Sequence, residues 1–400
     1  MHILILVDDY LPSTKSAPLM IQQLGEYYVS QGHQVTVFTP DHRSSKYNVS
    51  YENGIKVVRF YSGRLKNIGM IKRAINELLL SFRLWMVYLR SPELFKDGKI
   101  IISYAPTIFW GIIAIFLRWR LKSSHYMILR DIFPQWVIDN HLLRKYSPVA
   151  IFFRFFEWLN YCSANRIGVQ TPGNLKYFEN SRFHKKCEVL YNWASPMPAE
   201  RQNNGFREKY FLRDKVILFY GGNIGHAQDM DNIMRMAANI RDITDAHIVL
   251  VGNGDEFELV ERTIKDRQLE NVLLLPPVPQ EEYFKILCEI DIGIFTLHPN
   301  HKTQNVPGKI LGYMAAGKAI LGSVNEGNDI IEIINQSQAG LVVVNPDDKA
   351  FADNARKLIE DTDFRASCAC NAKRLLDTFF SLSRNAGQIL ENAVPAGNDK

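Results

Sequence analysis

The sequence predicts an α/β chain of two doubly wound domains, each a parallel sheet with helices on both faces. Three observations carry this. The 400 residues exceed what one ordinary core organises and suit two. Short apolar runs alternate with helical stretches over nearly the whole length, the pattern of β-α-β units. The alternation breaks near 195–213, where Ser195-Pro196-Met197-Pro198 and Arg201-Gln202-Asn203-Asn204-Gly205 show no apolar period, and then restarts.

The opening MHILILVDDY has no basic leader and no small-residue cleavage site, and its apolar run stops at Asp8. It reads as a first strand, 3–7, rather than a signal peptide. A helix over 19–31 follows and ends at Gly32, the residue favoured just past a helix. Further strands are expected over 34–38, 56–60, 99–103, 126–129, 166–169 and 187–190. Beyond the break come six more, over 216–220, 246–251, 272–275, 292–296, 319–322 and 340–344. In such sheets ligands bind beyond the carboxyl ends of the strands, so a cleft between the two domains is the expected site.

With 47 Lys and Arg against 42 Asp and Glu, the net charge of +5 excludes a strongly basic nucleic-acid coat and an acidic disordered chain. The total hides a split. Residues 1–200 hold 25 basic and 14 acidic residues, and residues 201–400 hold 22 and 28. A basic half suits an anionic partner, a phospholipid surface or a phosphorylated substrate. The five cysteines, Cys162, Cys187, Cys288, Cys368 and Cys370, are odd in number and scattered, which argues for a reducing compartment and against a disulfide framework or zinc site.

The longest uncharged run, 100–117, divides into a strand, a turn at Pro106 and a helix, and so is not read as a membrane span. Two other stretches, 66–90 and 142–161, mix apolar and aromatic residues with basic ones. That composition suits helices lying in a membrane interface; the alternative is two core helices with basic outer faces.

Several short motifs follow predicted strands. Tyr220-Gly221-Gly222-Asn223-Ile224-Gly225 precedes a helix expected to begin near Asp229. Glycines there let backbone N–H groups approach a diphosphate at the positive end of a helix. Val251-Gly252-Asn253-Gly254-Asp255 repeats the pattern, and Pro276-Pro277-Val278-Pro279 follows the next strand. Val306-Pro307-Gly308 opens a helix that Gly317 ends, and Lys309 in its first turn adds positive charge to an anion site.

In this order the elements resemble the retaining family-4 glycosyltransferases of GT-B architecture, nearest the branch that builds bacterial O-antigen, capsule and colanic-acid repeat units, N-acetyl-L-fucosaminyltransferases included. The residues that carry the resemblance span nearly the whole chain. They are the first loop from Asp8 to Ser16, the turn Gln31-Gly32-His33-Gln34-Val35, Arg130-Asp131-Ile132-Phe133-Pro134, Ala164–Gly173, Leu190-Tyr191-Asn192-Trp193 and Tyr313-Met314-Ala315-Ala316-Gly317.

The resemblance implies an acceptor-binding, membrane-facing domain over 1–195, a linker over 196–213 and a nucleotide-sugar domain over 214–375. Residues 376–400 then form a helix crossing back to the first domain, followed by a tail. It implies transfer, with retention, of an N-acetylamino-deoxysugar from a UDP-sugar to a polyprenyl-diphosphate-linked saccharide, at the inner face of the cell membrane, without a metal or other cofactor. Asp131 takes the place of the catalytic polar group; as a bare sequence feature it also reads as a helix cap. Donor contacts fall on Ser16, Gly222, Asn223, Gln228, Gly252, Gly254, Val278, Gln304, Val306, Pro307, Gly308 and Lys309, with Lys15, His226 and Tyr313 as further contacts. The chain departs from the family where two acidic residues are usual, at Gln304 and Gly312, and where Arg and Lys are usual, at Asn223 and Gln228. That departure keeps open a non-catalytic nucleotide-sugar-binding scaffold, and an epimerase of the same fold.

Overall fold

The computed structural model describes residues 1–13, 16–44, 46–65, 68–105, 107–139, 143–197, 205–300 and 306–393. The chain divides into two units, Met1–Tyr191 with Leu382–Lys400, and Asn192–Ser381.

Unit 1 contains β1 (His2–Leu6), α1 (Ser16–Ser30), β2 (Gln34–Asp41), β3 (Tyr47–Glu52), β4 (Ile55–Tyr61), α2 (Met70–Leu78), α3 (Leu80–Arg90), β5 (Gly98–Tyr104), α4 (Gly111–Leu121), β6 (Ser124–Leu129), α5 (Gln135–Asp139), α6 (Pro148–Ser163), β7 (Arg166–Val169), α7 (Pro172–Lys176) and β8 (Cys187–Val189). Its sheet runs β3-β4-β2-β1-β5-β6-β7-β8, parallel apart from β3. The central strands β1 and β6 are buried along their whole length, as expected of a sheet covered on both faces. β3 was not among the expected strands. It pairs antiparallel to β4 through Glu52 and Ile55, closed by Asn53 and Gly54 at φ 52° and 81°. An Asn-Gly pair at positive φ is the preferred two-residue hairpin turn, so the signal was present in the sequence. The stretch over 66–90 is two helices, and that over 142–161 is covered mainly by α6; residues 66–67 and 142 lie outside those described.

Unit 2 contains α8 (Phe206–Lys209), β9 (Val216–Asn223), α9 (Met230–Asn239), β10 (Ala246–Asn253), α10 (Phe257–Asp266), β11 (Val272–Leu275), α11 (Gln280–Glu289), β12 (Ile292–Thr296), α12 (Gly308–Ala315), β13 (Ala319–Val324), α13 (Asp329–Gln336), β14 (Gly340–Val344), α14 (Asp348–Glu360) and α15 (Thr362–Leu375). The sheet is wholly parallel, in order β11-β10-β9-β12-β13-β14, and all six strands lie where the apolar runs put them. Both units are Rossmann-like, which is the expected architecture.

The boundaries differ from those read from the sequence. Residues 192–195 belong to unit 2, where Ala194 N–H donates to the Phe380 carbonyl (3.0 Å) and Trp193 is buried. The expected linker 196–213 is partly ordered structure. Glu289 accepts from the backbone N–H groups of Phe206 and Arg207 (3.2 and 2.9 Å), and Arg207 pairs with Asp291 at 2.7 Å. A side chain about eighty residues away thus anchors α8, which local composition does not reveal. Residues 198–204 lie outside the described part. The return to unit 1 comes after Ser381, because Leu376–Phe380 forms a π-turn belonging to unit 2. The final helix, α16 (Leu382–Ala393), packs on α1 and β6; Tyr28 donates to the Ala386 carbonyl (3.0 Å) and Asn392 to the Glu188 carboxylate (2.8 Å).

Candidate functional site

In a doubly wound sheet, ligands gather where the strand order reverses, beyond the carboxyl ends of the strands. In unit 2 the reversal lies between β9 and β12. β9 and β10 end in register, Gly222 opposite Gly252 and Asn223 opposite Asn253. A Cβ on Gly252 would stand 1.8 Å from the Gly222 carbonyl oxygen, and one on Gly254 2.1 Å from that of Ile224. These two glycines are therefore required by main-chain packing whether or not a phosphate approaches. Gly222 is different: its φ is +125°, and the nearest atoms to its missing side chain are Cε and Nζ of Lys309, at 3.8 and 3.9 Å. Gly308 is different again, since a Cβ there would meet nothing within 4 Å.

α12 begins at Gly308 after Pro307, and no described side chain caps it. Its first N–H groups carry the positive end of the helix. Val306 is buried beneath. The Lys309 ammonium nitrogen is buried, lies 3.3 Å from the centroid of the Tyr220 ring, and has no hydrogen-bond partner among the described residues. Burial pushes its pKa well below the usual lysine value. A ring face attracts a cation but accepts none of its three hydrogen bonds, so an incoming anion would satisfy what the protein leaves open.

The amides stand at the edge of the same turn. Asn223 donates to the Gln228 side-chain oxygen at 2.6 Å, and the Gln228 carbonyl accepts from the Thr296 hydroxyl. His226 lies 3.3 Å from Glu256, and its ring packs 4.7 Å from that of His298. Glu256 and His298 were not singled out from the sequence, and Tyr220 only as part of the glycine motif; Tyr220 lies within β9 and His298 two residues past β12. Val278 is half-buried in the loop after β11, two strands from β9. Gln304 lies outside the described residues. Tyr313, expected as a donor contact, is a core residue. Its hydroxyl lies 3.1 and 3.0 Å from the carbonyls of Phe219 and Ile294, and its ring fills the space a side chain at Gly293 would take. It holds β9, β12 and α12 together from below.

In unit 1 the reversal lies between β1 and β5. Asp8 and Asp9 follow β1, Tyr104 ends β5, and Arg130-Asp131 follows β6. The buried Tyr104 hydroxyl is hydrogen-bonded to Arg130; burial raises its pKa, and the charges of Arg130, Asp131 and Asp8 all reach it. Arg130 is buried and donates to the Leu190 and Tyr191 carbonyls (2.5 and 3.3 Å), which fixes the loop bearing its neighbour. The Asp131 side chain reaches solvent, yet partial desolvation raises its pKa against the opposing pull of Arg130. A cavity of about 320 Å³ lined by Asp8, Asp9, His42, Ser62 and Arg64 opens at the ends of β1, β2 and β4. Ser16 is exposed at the start of α1, and Lys15 lies outside the described residues. Among the described residues, no group of three or more His, Cys, Asp or Glu is placed to hold a metal.

Residues 214–361 match the family described as "Glycosyl transferases group 1". The chain is 23% identical over 278 residues to a probable glycosyltransferase, WbjE, of Pseudomonas aeruginosa, covering 68% of each chain. It is 23% identical over 303 residues to the alpha-D-kanosaminyltransferase of Streptomyces kanamyceticus, covering 73% of this chain and 74% of that one. Among solved structures it is similar to Anabaena HepE in complex with UDP, with a TM-score of 0.70, 15% identity, and coverage of 98% and 99% of the two chains. The fold is GT-B, and the domain match with its glycosyltransferase relatives supports a transferase enzyme.

Proposed function

We propose that this GT-B glycosyltransferase moves a sugar with retention of anomeric configuration, as the family-4 enzymes it resembles do. In this reading the donor is a UDP-sugar carrying an N-acetylamino-deoxysugar such as N-acetyl-L-fucosamine. The acceptor is a polyprenyl-diphosphate-linked saccharide of O-antigen or capsule assembly, reached at the inner face of the cell membrane. One observation carries the donor half: among the described residues, the start of α12 has no side-chain cap, Gly308 has open space beside it, and the Lys309 amine beside Gly222 has no hydrogen-bond partner. The UDP-bound structural neighbour supports the same choice of ligand.

The chemistry follows from the residues. The bond from the anomeric carbon to the diphosphate breaks, and negative charge develops on the leaving UDP. N–H donors of α12, fixed in advance, and the Lys309 amine, protonated as the donor binds, stabilise that charge without a metal. The acceptor hydroxyl bonds to the anomeric carbon on the same face, and its proton leaves with the diphosphate. Asp131 accepts a hydrogen bond from that hydroxyl and orients it, which requires the ionised carboxylate. Glycine at 312 and glutamine at 304 replace the usual acidic pair, so ribose and sugar contacts are made by amides and main chain.

Incubating the purified chain with a panel of nucleotide sugars and a lipid-linked acceptor tests the proposal. Transfer with the anomeric configuration kept is the expected result. No transfer and no donor hydrolysis across the panel would overturn it.

A further inference from the structure

Helices α3, α4 and α6 lie side by side on one face of the unit 1 sheet, with α4 touching both of the others. α3 and α4 bury apolar stripes, α6 turns inward Ala150, Glu157, Asn160, Tyr161 and Ser163, and all three present an apolar stripe outward. α3 buries Leu80, Leu84, Val87 and Tyr88 and exposes Phe82, Trp85, Met86 and Leu89, a helical spacing of its own. α4 buries Ile113 and Leu117 and exposes Ile115 and Trp119, the latter at 77%. α6 exposes Ile151, Phe152, Phe155 and Trp158, with Phe155 at 53% and its ring stacked 6.1 Å from Trp158. Trp85 meets Phe116 edge-on at 6.2 Å, which joins the α3 and α4 stripes. The alternative reading of α3 and α6 as core helices with basic outer faces does not hold, since the outer face of this layer is apolar and aromatic. A side chain of this kind exposed singly is ordinary, but three adjacent stripes mark an interaction surface.

The charge at its margin is mainly basic, with exposed Glu93 and Asp97 following α3. Arg90 closes α3, Arg120 and Lys122 close α4, and Arg144 and Lys145 precede α6, all exposed. The three helices hold a single acid, Glu157, which is buried and paired with Arg154 at 2.9 Å. A second copy of this face would set one basic rim against another, whereas anionic headgroups would neutralise both rim and field. No helix among the described residues is long and apolar enough to cross a membrane. The geometry points to an interfacial platform: α3, α4 and α6 lie on an anionic phospholipid surface, their outer stripes at the boundary between headgroups and acyl chains and their arginines and lysines on the phosphates. This rests on the proposed membrane-side acceptor and names the residues that meet the lipid, α4 included.

The test is flotation of the full chain with vesicles of phosphatidylglycerol and phosphatidylcholine, and with phosphatidylcholine alone. Salt-sensitive binding to the anionic vesicles, with a blue shift of tryptophan emission, is expected. A Trp119→Ser/Phe155→Ser double variant should lower the partition coefficient about tenfold or more while UDP binding is unchanged. Arg120→Glu/Lys122→Glu should weaken binding and flatten its salt dependence. Absence of flotation, or unchanged flotation of the double variant, overturns the platform. A concentration-dependent dimer that the double variant disperses, without vesicle binding, also overturns it by making the face a self-association surface. Calorimetry with UDP on the same samples separates the two readings: flotation without UDP binding leaves the platform standing and removes the transfer reaction, and UDP binding without flotation does the reverse.

Discussion

The two units reverse their strand order at equivalent places, beside β1 in unit 1 and beside β9 in unit 2, yet the chemistry at the two reversals is opposite. The basic half presents carboxylates there, Asp8, Asp9 and Asp131, with Tyr104 among them. The acidic half presents glycines, amides, a helix start that no described side chain caps, and Lys309. Net charge over a half thus says nothing of the sign at its site. In unit 1 the excess of cations includes those on the α3–α4–α6 margin, away from the strand ends. The backbone supplies the same shelf twice, and a few side chains just past each strand decide what rests on it.

The largest effect is expected from Asp131→Asn. If unit 1 acts on the acceptor and unit 2 holds the donor, transfer should fall by about 10²- to 10⁴-fold while UDP affinity barely moves. Near-full turnover would break the division of labour. The pH profile sharpens it. The Asp131 carboxyl is raised, so its useful ionised form is lost as pH falls through that raised value, and the rate should decline on the acid side earlier than for an ordinary aspartate.

Lys309→Met comes next. UDP affinity should drop by about tenfold to a hundredfold, as for a lost charge-assisted contact. Stability should hold or rise, because a buried amine without hydrogen bonds to the described residues is removed. The sign can be followed by pH. Lys309 holds fewer protons folded than unfolded, so its cost to folding shrinks as pH rises toward the ordinary lysine value, and this dependence should vanish in the variant. A diphosphate stabilises the charged amine, so UDP binding should take up a proton, seen as heats that vary with the ionisation enthalpy of the buffer. Wild type and variant giving the same proton uptake would separate Lys309 from the donor.

The glycines offer a finer contrast within unit 2. Gly252→Ala should cost about 2–4 kcal/mol of stability in denaturant titration, since its Cβ meets a carbonyl at 1.8 Å. Gly308→Ala should leave folding within about 0.5 kcal/mol and, if the open space beside it takes the diphosphate, weaken UDP binding a few-fold. Equal effects on folding would erase the distinction between a packing glycine and a contact glycine. The smallest change is expected from His226→Gln, an exposed ring at the margin of the turn, with UDP affinity within about threefold of wild type.

Strand order of residue types was enough to read most of the fold. Apolar runs of strand length and the glycine after α1 are local signals, and among the described residues thirteen of the fourteen strands lie where they pointed. The Asn53-Gly54 hairpin was equally local and simply went unread. The motif after β6 located Asp131, and the helix opening at Pro307-Gly308 located Lys309, because both sit immediately past a strand or at a helix start.

What the sequence by itself determined, then, is the pair of parallel sheets and the short segments that stand at their ends, since both follow from period and from chain proximity. Tertiary structure alone decided how each residue is used. It made Tyr313 a strut and Gly252 a packing contact, put Tyr220 under the Lys309 amine, and left the outer apolar stripes of α3, α4 and α6 exposed. The physical reason is common to all four. A residue type and its spacing specify which face of an element it shares, whereas burial and partnership depend on which distant element packs there, and that is a property of the folded chain.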